Sequence, residues 1–119
     1  MIYLSTPYWH PDPQVRQKRF EIVSEIASYL IYFTKHALFS PISHGHAIFK
    51  DRDDLDPGIE YWEKYEKQIM PICSELIVVC IEGWKESRGV KREIDLAKEL
   101  GIPIRFWEPM GKLEKTEIN

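Results

Sequence analysis

The chain has 119 residues, 44% of them apolar and 29% charged, which suits one soluble domain with its own core and leaves little room for a second. Its 16 Lys and Arg against 19 Asp and Glu give a formal net charge of −3, which weighs against a broad basic surface for polymeric nucleic acid. No stretch approaches the roughly 18 consecutive apolar residues of a membrane span, and MIYLSTPY lacks a basic and apolar leader, so a cytoplasmic protein with no membrane partner is expected.

In chain order, MIYLS reads as a short first strand running into a Ser-Thr-Pro loop. DPQVRQKRFEIVSEIASYLIYFTK follows as a helix, with Asp12 as N-cap and Pro13 in the first position. Its apolar stripe takes in Phe20, Val23, Ala27, Leu30 and either Phe33 or Ile31. HALFSPI reads as a second strand and SHGHAIFKDRDDLD as a long polar loop. DPGIEYWEKYEKQIM repeats the Asp-Pro start of a helix, with Ile59, Trp62, Ile69, Met70 and Cys73 facing in and Pro71 closing it. ELIVVCI is apolar throughout, as a strand covered on both faces would be. A further helix runs from about Val90 to Leu100 with Gly101 as its stop, and IPIRFWE is the last strand. Residues 1–110 thus make one domain, and the polar GKLEKTEIN, 111–119, a tail.

Strands alternating with helices predict a three-layer α/β domain with a mostly parallel sheet of four to five strands. Ligands of such sheets bind beyond the carboxyl ends of the strands. Here that rim comes from STPYWH, with Ser5, Pro7 and Tyr8; from SHGHAIF, with His46; and from GWKESRG, with Ser87 and Gly89. Two carboxylates break the helical patterns beside it. At roughly 100° per residue, Glu93 lies inside the apolar arc of its helix, between Ala97 and Leu100, while Lys91 and Arg92 fall outside. Glu66 lies in the middle of the inward arc of the preceding helix. An inward carboxylate either complements a helix dipole and pairs with a base, or serves a site. A capping box does not explain Glu93, because with Ser87 as N-cap the reciprocal acid would stand at Val90.

Ser87 and Gly89 form a small-residue turn at a helix start, where backbone N–H groups can meet a phosphate or a sugar hydroxyl, or serve simply as cap and turn. His44 and His46 lack a third ligand in any metal-binding spacing, so no metal is expected. Tyr8 and Trp9 can stack on a planar base or pack their loop; Arg16 and Arg19 read as surface charges. Cys73 and Cys80 are not spaced as a redox or zinc pair and read as reduced packing residues.

Taken together, YLSTPY, YWEKYEKQI and GWKESRGVKREIDLA resemble the nucleoside 2-deoxyribosyltransferase-like superfamily, and within it a small bacterial and viral branch catalogued as a domain of unknown function. The resemblance runs from about Met1 to Trp107 and is strongest in the S-x-G-V-x-x-E spacing from Ser87 to Glu93. It implies a flavodoxin-like fold, no cofactor, and cleavage or transfer at the N-glycosidic bond of a (deoxy)nucleoside or nucleoside 5′-monophosphate. By position it implies Glu93 as the nucleophile and Tyr3 as the group orienting it. Ser87 falls where the sugar or 5′-phosphate binds, and Glu66 where an acid assists protonation of the base. The superfamily usually has Asp at the Glu66 position, and some members have an acid at that of Ser87. Its members often complete the site from a neighbouring subunit, which implies a homodimer or larger homo-oligomer; Asn119 is the one tail residue with a matching character.

That chemistry accounts for paired inward carboxylates. Breaking a C1′–N bond passes through an oxocarbenium-like state that a carboxylate on the opposite face stabilises or traps, while the departing base takes a proton. Other expectations share the cleft: a non-catalytic nucleotide-binding module, a receiver or flavodoxin-type domain, or an interaction protein in which Glu93 serves stability alone.

Overall fold

The computed structural model describes residues 1–109; GKLEKTEIN, with Asn119, lies outside the described residues. Four strands, β1 (Ile2–Ser5), β2 (Leu38–Phe39), β3 (Glu75–Val79) and β4 (Ile104–Trp107), form one sheet in the order β2-β1-β3-β4. Every pairing is parallel, with Ile2 opposite Leu38, Tyr3 opposite Leu76, Ser5 opposite Val78, and Leu76 opposite Ile104. Helices α1 (Pro13–Thr34), α2 (Pro41–Phe49), α3 (Ile59–Ile69) and α4 (Arg88–Leu100) flank the sheet, an arrangement consistent with a flavodoxin-like three-layer fold.

Both faces of the sheet are covered, as the apolar runs require. Ile2, Leu4, Ile77 and Val79 pack on Val23, Ile26, Ala27 and Leu30 of α1. Tyr3, Leu76 and Val78 point the other way, against Met70 and Cys73 after α3 and Val90 and Ala97 of α4. This is the strict alternation of strand side chains. Asp12 caps α1 by accepting from the Gln14 N–H at 2.9 Å, with Pro13 at the first position, and Lys35 ends the helix in the left-handed region. The buried stripe of α1 is Val23, Ile26, Ala27 and Leu30; Phe33, expected as an alternative to Ile31, is 71% exposed, and Ile31 also faces solvent. In α3 the expected inward Ile59 is exposed, because the first residue of the helix borders the cleft rather than the core.

The segment read as strand and long loop folds differently. β2 is two residues long, and α2 follows from Pro41 to Phe49, then a single 3₁₀ turn over Asp53–Leu55. Ser40 caps α2 on the Ser43 N–H at 3.4 Å, with Pro41 at the first position, the same device that starts α1. Apolar periodicity hides this helix because its buried inner position is Gly45. The Trp62 ring of α3 lies so close that a Cβ on Gly45 would stand 3.2 Å from it.

Candidate functional site

The strand order reverses direction between β1 and β3, and a crevice opens there at the carboxyl ends of both. The cleft has a volume of about 560 Å³. One side is the loop after β1, with Thr6, Tyr8 and Trp9; the far side is α2 and the start of α3; the remaining wall is the first turns of α4.

α4 begins where Ser87 accepts from the Val90 N–H at 3.2 Å, and ends at Gly101 in the left-handed region. Its start fixes the phase that turns Glu93 towards the sheet. Glu93 is 6% exposed and lines the cleft. The Tyr3 hydroxyl donates to its Oε2 at 2.6 Å, and Ser5 Oγ donates to its Oε1 at 2.5 Å. Tyr3 and Ser5 are alternate residues of one strand, so both hydroxyls arrive from the same face. Burial, together with the nearby charge of Glu66, pushes the Glu93 carboxyl up to about 7; the two hydroxyl donors and Arg92 oppose that rise. Burial and the adjacent Glu93 drive the Tyr3 phenol far above its ordinary value, so it stays a donor.

Glu66 on α3 is also 6% exposed and lines the same cleft. It accepts at Oε1 from Arg92 Nε at 2.9 Å and at Oε2 from Arg92 Nη2 at 2.6 Å, a two-point ion pair. Angular counting puts Arg92 on the outer side of α4. The guanidinium instead lies back along the first turn, with Nη2 3.9 Å from where a Cβ of Gly89 would stand.

Of the other anticipated residues, Tyr8, His46, Ser87 and Gly89 line the cleft, whereas Tyr3, Ser5 and Pro7 are buried behind its wall. Both ring nitrogens of His46 are engaged within the protein. Nδ1 is 2.6 Å from the Tyr8 hydroxyl, Nε2 is 2.9 Å from Gln17 Oε1, and the ring stacks on Phe20. Burial lowers the imidazole's affinity for a proton. A neutral ring that accepts from Tyr8 and donates to Gln17 fits these contacts, and it holds Tyr8 at the cleft edge. His44 stacks beside Tyr65 instead. Among the described residues no group of three His, Cys, Asp or Glu side chains is placed to hold a metal.

Several groups at this cleft were not anticipated. Arg16 stands over the Trp9 ring and donates to the His10 carbonyl, and Arg19 donates to the carbonyls of Tyr8, Trp9 and Glu82. Of these two arginines, read as surface charges, Arg19 straps the loop after β1 to the loop after β3, while Arg16 stays with the loop after β1 and reaches Asp53. Thr6 is buried at the cleft wall, and its Oγ1 has no hydrogen-bond partner among the described residues. Only the i, i+4 spacing of Arg16 from Asp12 and its i+3 step to Arg19 hinted that both face that loop.

No helix of the described residues is long and apolar enough to cross a membrane. No curated protein matches the chain. The family described as Domain of unknown function (DUF1937) matches residues 1–109, the whole of the described fold and every cleft residue. The chain therefore belongs to the DUF1937 family.

Proposed function

We propose that this protein cleaves or transfers at the N-glycosidic bond of a nucleoside or nucleoside 5′-monophosphate, with Glu93 as nucleophile, as its likeness to the nucleoside 2-deoxyribosyltransferase-like superfamily implies. The observation that carries the reading is one buried carboxylate at the cleft wall, aimed by two hydroxyl donors from β1. A glutamate buried only for packing would not open onto a cleft of about 560 Å³ at the switch point of the sheet. In the reaction a Glu93 oxygen bonds to C1′ as the C1′–N bond breaks, and the electron pair leaves with the base. Water reaching the glycosyl intermediate gives hydrolysis; a second base gives transfer. Ser87 and the open backbone at Gly89 face the sugar or its 5′-phosphate, where the start of α4 favours an anion. Tyr8, Trp9 and Trp62 are among the aromatic side chains lining the cleft where a base would lie. With both Glu66 oxygens engaged by Arg92, the proton for the departing base comes from water in the open cleft.

The test is a panel of deoxynucleosides, ribonucleosides and their 5′-monophosphates, with and without a second free base, on wild type and Glu93→Gln. Base release or exchange that vanishes in the variant supports the reading. Ligand binding without turnover by wild type moves the cleft to a nucleotide-binding module and overturns it.

A further inference from the structure

Two carboxylates buried to the same extent line one cleft, and the Arg92 guanidinium, on the helix that carries Glu93, reaches across to the helix that carries Glu66. We propose that Arg92 is a positioning residue for the charge on Glu93: by holding Glu66 in a two-point ion pair it compensates the second carboxylate and leaves Glu93 able to release its proton. The inference rests on Glu93 being the working carboxylate of the proposed reaction, but it is tested without turnover.

The geometry carries it. Glu66 and Glu93 come from different helices, and each is withdrawn from water. Of two carboxylates in a poorly solvated site, each opposes the ionisation of the other, and a cation beside one of them relieves that opposition. The guanidinium supplies that cation in fixed geometry, anchored at 2.9 and 2.6 Å and only 26% exposed. Glu66 raises the Glu93 carboxyl and Arg92 lowers it, as this placement requires.

Among the described residues, Glu66 and Arg92 are the charges that bear on Glu93, and the other groups around the cleft have partners of their own or stand at its edge. From β1 come the neutral donors Tyr3 and Ser5. Across the cleft, Arg16 is engaged by the His10 carbonyl and, at 3.7 Å, by Asp53, while Arg52 is paired with Asp54. His46 is taken up by Tyr8 and Gln17. At the start of α4, Glu86 and the exposed Arg88 line the mouth of the cleft. On the outer side of the ion pair, Glu63, Asp95 and Glu99 line a smaller hollow of about 220 Å³ with Lys67, and Asp95 is paired with Lys91. Arg92 thus assigns the two carboxylates different work. Glu66 is a counter-ion and Glu93 is left for chemistry.

The experiment is a pH titration of the Glu93 carboxyl carbon by NMR, in protein labelled at the glutamate side-chain carboxyl. It compares wild type with Arg92→Gln, Arg92→Lys, Glu66→Gln and the double variant Glu66→Gln/Arg92→Gln. Removing the arginine alone is expected to raise the Glu93 midpoint by about one pH unit or more, and removing Glu66 alone to lower it by about one unit. The double variant should return near wild type. Arg92→Lys should restore only part of the shift, since an ammonium cannot reproduce the two-point contact. A purely structural ion pair would lower the melting temperature of these variants and leave the midpoint in place; that result overturns the proposal. Should Arg92→Gln fail to fold, Glu66→Gln decides alone, because an unmoved midpoint there is equally fatal. Absence of base release in the wild type would sink the proposed reaction and leave this titration intact.

Discussion

The two faces of the sheet are built from the same four strands and carry different burdens. Against α1, Ile2, Leu4, Ile77 and Val79 meet the apolar stripe of Val23, Ile26, Ala27 and Leu30, with the Arg105–Glu75 ion pair at the margin beside Ile77. On the opposite face the same β1 presents Tyr3 and Ser5, whose hydroxyls reach Glu93, and α3 brings the ion-paired Glu66. Polar groups out of water contribute little to net stability and cost much when left unpaired. Both faces carry a buried apolar cluster, and the α3/α4 face alone sets buried carboxylates into its own, giving up stability for their placement.

That contrast is most open to failure on the apolar face. Ile77 is fully buried in the central strand, between Leu4 on β1 and Arg105 on β4. Ile77→Ala should cost about 2–5 kcal/mol of unfolding free energy, by lost burial and by the cavity it leaves. Denaturant unfolding gives the cost, and the Glu93 midpoint should stay within error of wild type. A shifted midpoint would mean that the two faces are not independent.

The second prediction concerns the polar face. Folded Glu93 keeps its proton up to about pH 7, while a carboxyl in the unfolded chain gives it up near 4.5. Between those values the native state binds more protons than the unfolded one, so the contribution of this residue to stability falls as pH rises and levels off above 7. The full swing is roughly 3 kcal/mol. Glu93→Gln removes the titration, so relative to wild type the variant should gain most of that amount between pH 4 and pH 8. A difference between the two proteins that is constant with pH would show that Glu93 is not held protonated by its burial.

How far the sequence reveals this division depends on the physical signal each element carries. Alternating strand and helix patterns suffice for the parallel sheet, because buried parallel strands are apolar on both faces, as ELIVV is. Glu93 is visible because a carboxylate breaks a helical arc whose start Ser87 fixes. α2 is not visible by periodicity, since the residue it turns inward is a glycine that makes room for Trp62 rather than an apolar side chain. Arg92 escapes for another reason. Angular counting follows the Cα–Cβ direction, and a long side chain can travel back over the preceding turn to a partner on another helix. Nothing in the spacing of Tyr8, Gln17 and His46 shows that they form one hydrogen-bonded chain; that needs α1 and α2 to be packed side by side.

A third, smaller effect distinguishes the cap of α2 from its packing. Ser40→Ala removes the side-chain acceptor for the Ser43 N–H and the contact to Ser43 Oγ, and should cost about 1 kcal/mol. Because α2 carries His46 and through it Tyr8, the loss should appear as faster amide exchange over residues 41–49 with the Glu93 midpoint unchanged.

The smallest change aimed at the carboxylate itself is Tyr3→Phe, which deletes one oxygen from a fully buried side chain. The hydroxyl donates to Glu93 Oε2 and so favours the ionised form. Without it the Glu93 midpoint should rise from about 7 by up to about one unit, and the acid limb of base release should move up in pH by the same amount. The sign also reverses the usual expectation for stability. Above that midpoint the variant lacks a donor to a buried charge and should be less stable than wild type by about 1 kcal/mol. Below it, with Glu93 protonated in both proteins, the difference should shrink. Ser5 remains as the second donor at Oε1, which is why the effect of Tyr3 alone is modest. A Tyr3→Phe protein whose stability deficit is the same at pH 5 and pH 9 would mean that the phenol packs against Glu93 without stabilising its charge, and the aimed carboxylate would then depend on Ser5 and Arg92 alone.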